Sequence, residues 1–143
     1  MRLGLLLLLT TGVASVNGQM NTVREYHEMK KILEQGRNDP DYAKVKSILD
    51  MYIKGVGDGL VWANAELLGG HRQQLYCSPK DLGLNADNYH QLLESFLPTL
   101  TQMVHWPYGT LKWKSVEDMP VGAVLLTALI HTFPCPQEKE APK

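Results

Sequence analysis

The sequence predicts an all-α, single-domain protein of four to five helices closed by one disulfide. Three observations carry this. Apolar residues recur with a helical period in four separate segments, and nowhere alternate with the period of two that a strand requires. Helix start and stop signals bracket those segments. The chain has two cysteines, Cys77 and Cys135, downstream of a leader that reads as an export signal, and an even count in an oxidising compartment favours pairing.

Residues 1–18 carry one charge, Arg2, followed by an uncharged run that includes five consecutive leucines. The run is shorter than the roughly 20 apolar residues that span a bilayer. Val16 and Gly18 suit the small-residue positions of a signal peptidase site before Gln19. Residues 1–18 therefore read as a cleaved signal peptide and 19–135 as the helical domain. Residues 136–143, PQEKEAPK, read as a disordered polar tail. No later segment is long and charge-free enough to span a membrane. The processed chain of 125 residues is long enough to bury one core. Its formal charge of −2, with no run of like charge, gives nucleic-acid binding no electrostatic basis.

The first helix is expected over 21–35, where Thr22 and Glu25 match a capping box and Gly36 supplies the stop. Val23, Tyr26, Met29 and Leu33 form its narrow apolar stripe. The second and longest is expected over 39–68, with Asp39 as N-cap and Pro40 in the first turn. Tyr42, Val45, Ile48, Leu49, Tyr52, Val56, Gly59, Leu60, Ala63 and Leu67 fall within an arc of about 120°. Val61, Trp62, Ala65 and Leu68 point away from that arc, so the helix is expected to be covered on two sides, the second by another copy in a homodimer. Gly55, Gly57 and Gly59 each cost roughly 1 kcal/mol relative to alanine. A close helix–helix approach or a kink is expected to offset that, with Tyr52, Gly55, Asp58 and Gly59 as the packing motif. Asp58 itself reads as a solvated or interface carboxylate.

The third helix is expected over 85–104, with Tyr89, Leu92, Leu93, Phe96, Leu97, Leu100, Met103 and Val104 on one face and a kink or break near Leu97 caused by Pro98. A second capping box at 115–118, with Pro120 in the first turn, opens a fourth helix ending near Thr132. That helix is apolar nearly all round, the signature of a central or interface position. The disulfide closes a loop of 58 residues, for which the chain-entropy model gives about 4 kcal/mol. It would pin the ends of the second and fourth helices at one pole.

Catalysis has little support. The sequence holds no G-x-S-x-G, H-E-x-x-H, C-x-x-C, P-loop or dinucleotide fingerprint. The five histidines show no metal-ligand spacing. A nucleophilic Cys77 served by His71 or His131 is the weaker reading of that cysteine. No catalytic residue, metal or cofactor is expected. What remains is surface. Residues 105–119, HWPYGTLKWKSVEDM, hold His105, Trp106, Tyr108, Lys112, Trp113 and Lys114, a composition that suits a partner-binding loop. The competing reading is an aromatic lid on the core.

These residues carry a resemblance. YIKGVGDGL at 52–60, YCSP at 76–79, a helix with leucine pairs, and Ala128-Leu129 before FPCP at 133–136 occur in an order and spacing similar to the Tai-type immunity family of type VI secretion systems. It covers roughly residues 42–136. The segment between Pro98 and Pro120 departs from the pattern in being longer and more aromatic. The resemblance implies a non-enzymatic periplasmic protein, commonly a homodimer, that binds a peptidoglycan-cleaving amidase and blocks its cleft. Cys77, Cys135 and the 52–60 segment match family positions and are expected to be structural. The alternatives are a small acid-stress chaperone of the periplasm, or a generic periplasmic protein-binding module.

Overall fold

The computed structural model describes residues 21–79, 82–102, 113 and 115–136. The expected leader, most of the 103–114 connection and nearly all of the tail lie outside them. Four α-helices follow in order: α1 (Val23–Glu34), α2 (Tyr42–Gly69), α3 (Ala86–Gln102) and α4 (Val121–Thr132), with a single 3-10 turn, Val116–Asp118, before the last. The described residues form no strand; the one β-bridge joins Thr22 to Pro120. The all-α fold is as the periodicity predicts.

The start of α1 follows its sequence signals. Thr22 accepts from the Glu25 amide while Glu25 reaches back to the Thr22 backbone, completing the capping box. Beside it, the Val23 amide donates to Met119 at 3.0 Å and the Val121 amide to Asn21 at 2.9 Å. The entries of α1 and α4 are thus stitched together. Two other starts differ from expectation. α2 begins at Tyr42 with Asp41 as N-cap. Asp39 instead closes an Asx-type turn by accepting from the Asp41 amide at 2.8 Å, so its carboxylate is spent one turn early. Ser115 and Asp118 bond each other at 2.9 Å within the 3-10 turn, and Pro120 becomes the N-cap of α4.

α3 runs unbroken through Pro98, where a kink or break was expected. Pro98 is exposed, while Phe96, Leu97 and Leu100 around it are buried. A proline inside a helix costs about 3 kcal/mol. Burying those three side chains, at roughly 1.5–3 kcal/mol each, outweighs that.

Val124, Leu125, Ala128 and Leu129 of α4 have no exposed surface, which makes α4 the central element its composition implied. Leu49 and Ile53 of α2, Leu93 and Phe96 of α3, and Tyr26 of α1 pack in the same core. The buried side of α2 carries Val45, Leu49, Ile53, Gly57 and Asn64. That line is turned by about 60° from the predicted arc, leaving Gly59 and Ala63 exposed. Two contacts set the rotation, and both lie at the candidate sites.

Candidate protein-binding surfaces

At one pole a disulfide joins Cys77 to Cys135 with the Cα atoms 4.8 Å apart. It ties the loop after α2 to the segment after α4, as expected. Neither cysteine retains a free thiol, so Cys77 is not a thiolate nucleophile in this state. A backbone bond from the Cys77 amide to Phe133, 2.8 Å, runs alongside. The same pole contains a residue that the sequence reading passed over. Asn64 is 5% exposed, donates from Nδ2 to the Tyr76 carbonyl at 2.8 Å, and accepts from the Leu75 amide at 2.8 Å. One side-chain amide therefore satisfies backbone that no helix or strand serves. Its only sequence signal was a polar residue between two alanines in an apolar run. To make the reversal after α2, His71 takes a left-handed conformation at φ 55°.

The predicted packing motif divides. Gly55 and Gly59 meet nothing within 4 Å, so neither makes a close approach inside this chain. The packing glycine is Gly57, where a Cβ would fall inside the Tyr89 ring. Burial raises the Tyr89 hydroxyl pKa to about 12. Tyr52 is half-buried. Asp58 pairs with Lys54 one turn back at 2.5 Å on the open side.

Of the predicted loop, His105, Trp106, Tyr108, Lys112 and Lys114 lie outside the described residues. Trp113 is described and is 37% exposed. It borders an apolar groove of about 230 Å³ lined by Leu75, Met119, Leu126 and Ile130. The half-buried back of α4 thus ends at the root of the loop.

A second surface lies on α2 opposite its buried side, where Met51 is 72% and Trp62 70% exposed. Val61 and Leu68 are exposed as well, but point away from these two on the flank of the helix.

Between α1, α2 and α3 sits a charged junction. His90 of α3 approaches Asp50 of α2 at 3.3 Å through Nε2, but off the line of a hydrogen bond. Its Nδ1 lies 3.1 Å from the Tyr26 hydroxyl, which donates to Glu94 at 3.2 Å. Lys30 pairs with Glu94 and Lys46 with Asp50. Burial lowers the His90 pKa below its ordinary value, against the opposing pull of Asp50. The Tyr26 hydroxyl is raised by burial and by the Glu94 charge. For Glu94, burial works upward, but the Lys30 ammonium and other partners prevail and hold it low. Among the described residues, no group of three His, Cys, Asp or Glu side chains is arranged to hold a metal, and no helix is long and apolar enough to cross a membrane.

No family model, curated protein or solved structure matches this chain, and its surfaces are read from their own chemistry.

Proposed function

We propose that this protein is an exported immunity-type inhibitor. It acts in the periplasm by binding a peptidoglycan-degrading amidase delivered by a type VI secretion system and occluding its cleft, with no chemistry of its own. The observation that carries this reading is Trp113, partly exposed beside an apolar groove at the root of an aromatic and lysine-bearing segment. A large ring held at the edge of a packed core offers contact area at little entropic cost. Lys112 and Lys114 add charge that favours an acidic partner. The disulfide clamp suits an oxidising compartment, and the resemblance over residues 42–136 supplies the partner class.

The test is inhibition of a cysteine–histidine amidase encoded beside this gene, followed as clearance of purified peptidoglycan. Stoichiometric inhibition is expected. Replacing Trp106, Tyr108 and Trp113 with alanine should abolish it while helical content and Tm hold. Full inhibition by that folded triple variant sinks the assignment of the loop; no complex at all sinks the function.

The charged junction favours a second reading, the acid-stress chaperone, because His90 and its carboxylate partners join three helices at one point. Loss of compact structure at pH 2 to 3, accompanied by suppressed aggregation of a client protein, distinguishes it from an inhibitor of one effector.

A further inference from the structure

The reversal after α2 brings residues 71–74 back beside the disulfide. His71, Arg72, Gln74 and Pro136 line a cleft of about 670 Å³ whose wall carries both Cys77 and Cys135. Each cysteine is partly exposed. Gln74 stands against both sulfurs: its Oε1 lies 3.9 Å from Cys77 Sγ, and its backbone carbonyl 3.7 Å from Cys135 Sγ. A disulfide has no S–H, so two acceptors within reach of its sulfurs serve nothing while the bond is intact. They would serve two thiols. The rest of the pole is held without sulfur, by Asn64 on the backbone of Leu75 and Tyr76 and by the bond from the Cys77 amide to Phe133. Among the described residues no carboxylate pairs with Arg72, which leaves a cation on the cleft.

We propose that this cleft is a thiol–disulfide exchange site, entered by an anionic thiol and leaving the chain folded as a dithiol. The site does not depend on what the 105–119 segment binds. The incoming thiolate attacks the Cys135 sulfur, which lies between the exposed Pro134 and Pro136. A new S–S bond forms there, the Cys77–Cys135 bond breaks, and Cys77 leaves as the thiolate. On taking a proton, Cys77 donates to Gln74 Oε1. A second thiolate attacks the mixed disulfide and departs joined to the first; Cys135 takes a proton and donates to the Gln74 carbonyl. Two incoming thiols are oxidised and one protein disulfide is reduced, with no other reactant. Arg72 draws a negatively charged thiol toward the cleft. The stabilisation lost with the covalent link is smaller than that of an ordinary domain of this size, and the sulfur-independent bonds keep the pole closed. The thiolate can come from a small thiol or from a protein dithiol, and the chemistry at the cleft is the same.

The experiment follows cleavage of the bond in the purified chain by mass spectrometry, with reduced glutathione as the anionic thiol and 2-mercaptoethanol as the neutral one. The rate should be flat in urea below the unfolding transition, because the native cleft is already open. The dithiol form should keep its helical far-UV circular dichroism and a single cooperative transition. Arg72→Gln should slow glutathione about threefold, the effect of one exposed charge, and leave 2-mercaptoethanol unchanged. Gln74→Leu should shift the glutathione equilibrium about twofold to fivefold toward the disulfide, by removing the acceptor that serves the Cys77 thiol. A reduced C-x-x-C dithiol protein that cleaves the bond no faster than glutathione assigns the cleft to the small thiol. One that cleaves it faster assigns it to the protein, and both uphold exchange in the native fold. A rate that climbs with urea along the global unfolding slope, a dithiol form without its helices, equal effects of Arg72→Gln on both thiols, or an equilibrium unmoved by Gln74→Leu overturns the proposal. Amidase inhibition enters none of these readouts.

Discussion

Gly57 and its neighbours Gly55 and Gly59 are two residues apart on one helix and live under opposite rules. At Gly57 the Tyr89 ring occupies the space a side chain would take, while Gly55 and Gly59 open outward with nothing near them. The helical wheel set Gly59 on the apolar arc and Gly55 and Gly59 in the packing motif, and passed over Gly57, the glycine that is packed. The contrast extends along the whole of α2. Its buried side is specified residue by residue through Tyr89, the Asn64 bonds and the disulfide pole. The outer side is specified only by what is left unfilled.

The largest effect that sharpens this contrast is at the pole. Replacing both Cys77 and Cys135 with serine should remove about 4 kcal/mol of stability, the chain-entropy value for a 58-residue loop. Urea unfolding measures it. A loss below about 1 kcal/mol would mean that Asn64 and the backbone bond from Cys77 to Phe133 already hold the pole without the covalent link. Next comes Gly57→Ala, expected to cost about 1–3 kcal/mol, because the new methyl group must displace a ring in a filled core. Unchanged stability would show that Tyr89 swings aside freely.

The charged junction has a pH signature of intermediate size. His90 is neutral and its pKa is lowered in the folded state, chiefly by burial, so the unfolded chain binds the proton first. Stability is then complete above the ordinary histidine pKa of about 6.5 and declines as pH falls below it, by up to about 1.4 kcal/mol per pH unit until the folded-state pKa is reached. Glu25, held low by the Asn21 and Thr22 amides, and Glu94 add a second decline below about 4.5, since lowered carboxylate pKa values contribute stability only while ionised. Tm measured between pH 7.5 and 5 should fall in the wild type and stay flatter in His90→Gln. Equal slopes in the two proteins would remove His90 as the cause.

The smallest effect is on the open side. Gly55→Ala and Gly59→Ala should each raise stability by up to about 1 kcal/mol, measured by urea unfolding. Destabilisation by either would reveal a neighbour on that face within the same chain and erase the difference from Gly57.

Local signals were sufficient where the chemistry was local. Thr22 and Glu25 announce the start of α1 because both capping bonds form within one turn. The unbroken apolarity of α4 requires a central position wherever the other helices lie. The two cysteines pair because the chain offers no third. Proline, in contrast, misled at position 98: its cost is local, but the burial of Phe96, Leu97 and Leu100 that overrides it is not. Asn64 could not be recognised, because the carbonyl and amide it serves become its neighbours only when the loop folds back on α2.

From its residues alone the chain determined its helical class, its sulfur pairing and which helix is innermost, since each follows from the order of residues or from composition. Tertiary structure decided which side of α2 faces inward, which of three glycines is indispensable and which face stays open. Those depend on the rotation of one helix against another, an angle that no spacing within a single helix encodes.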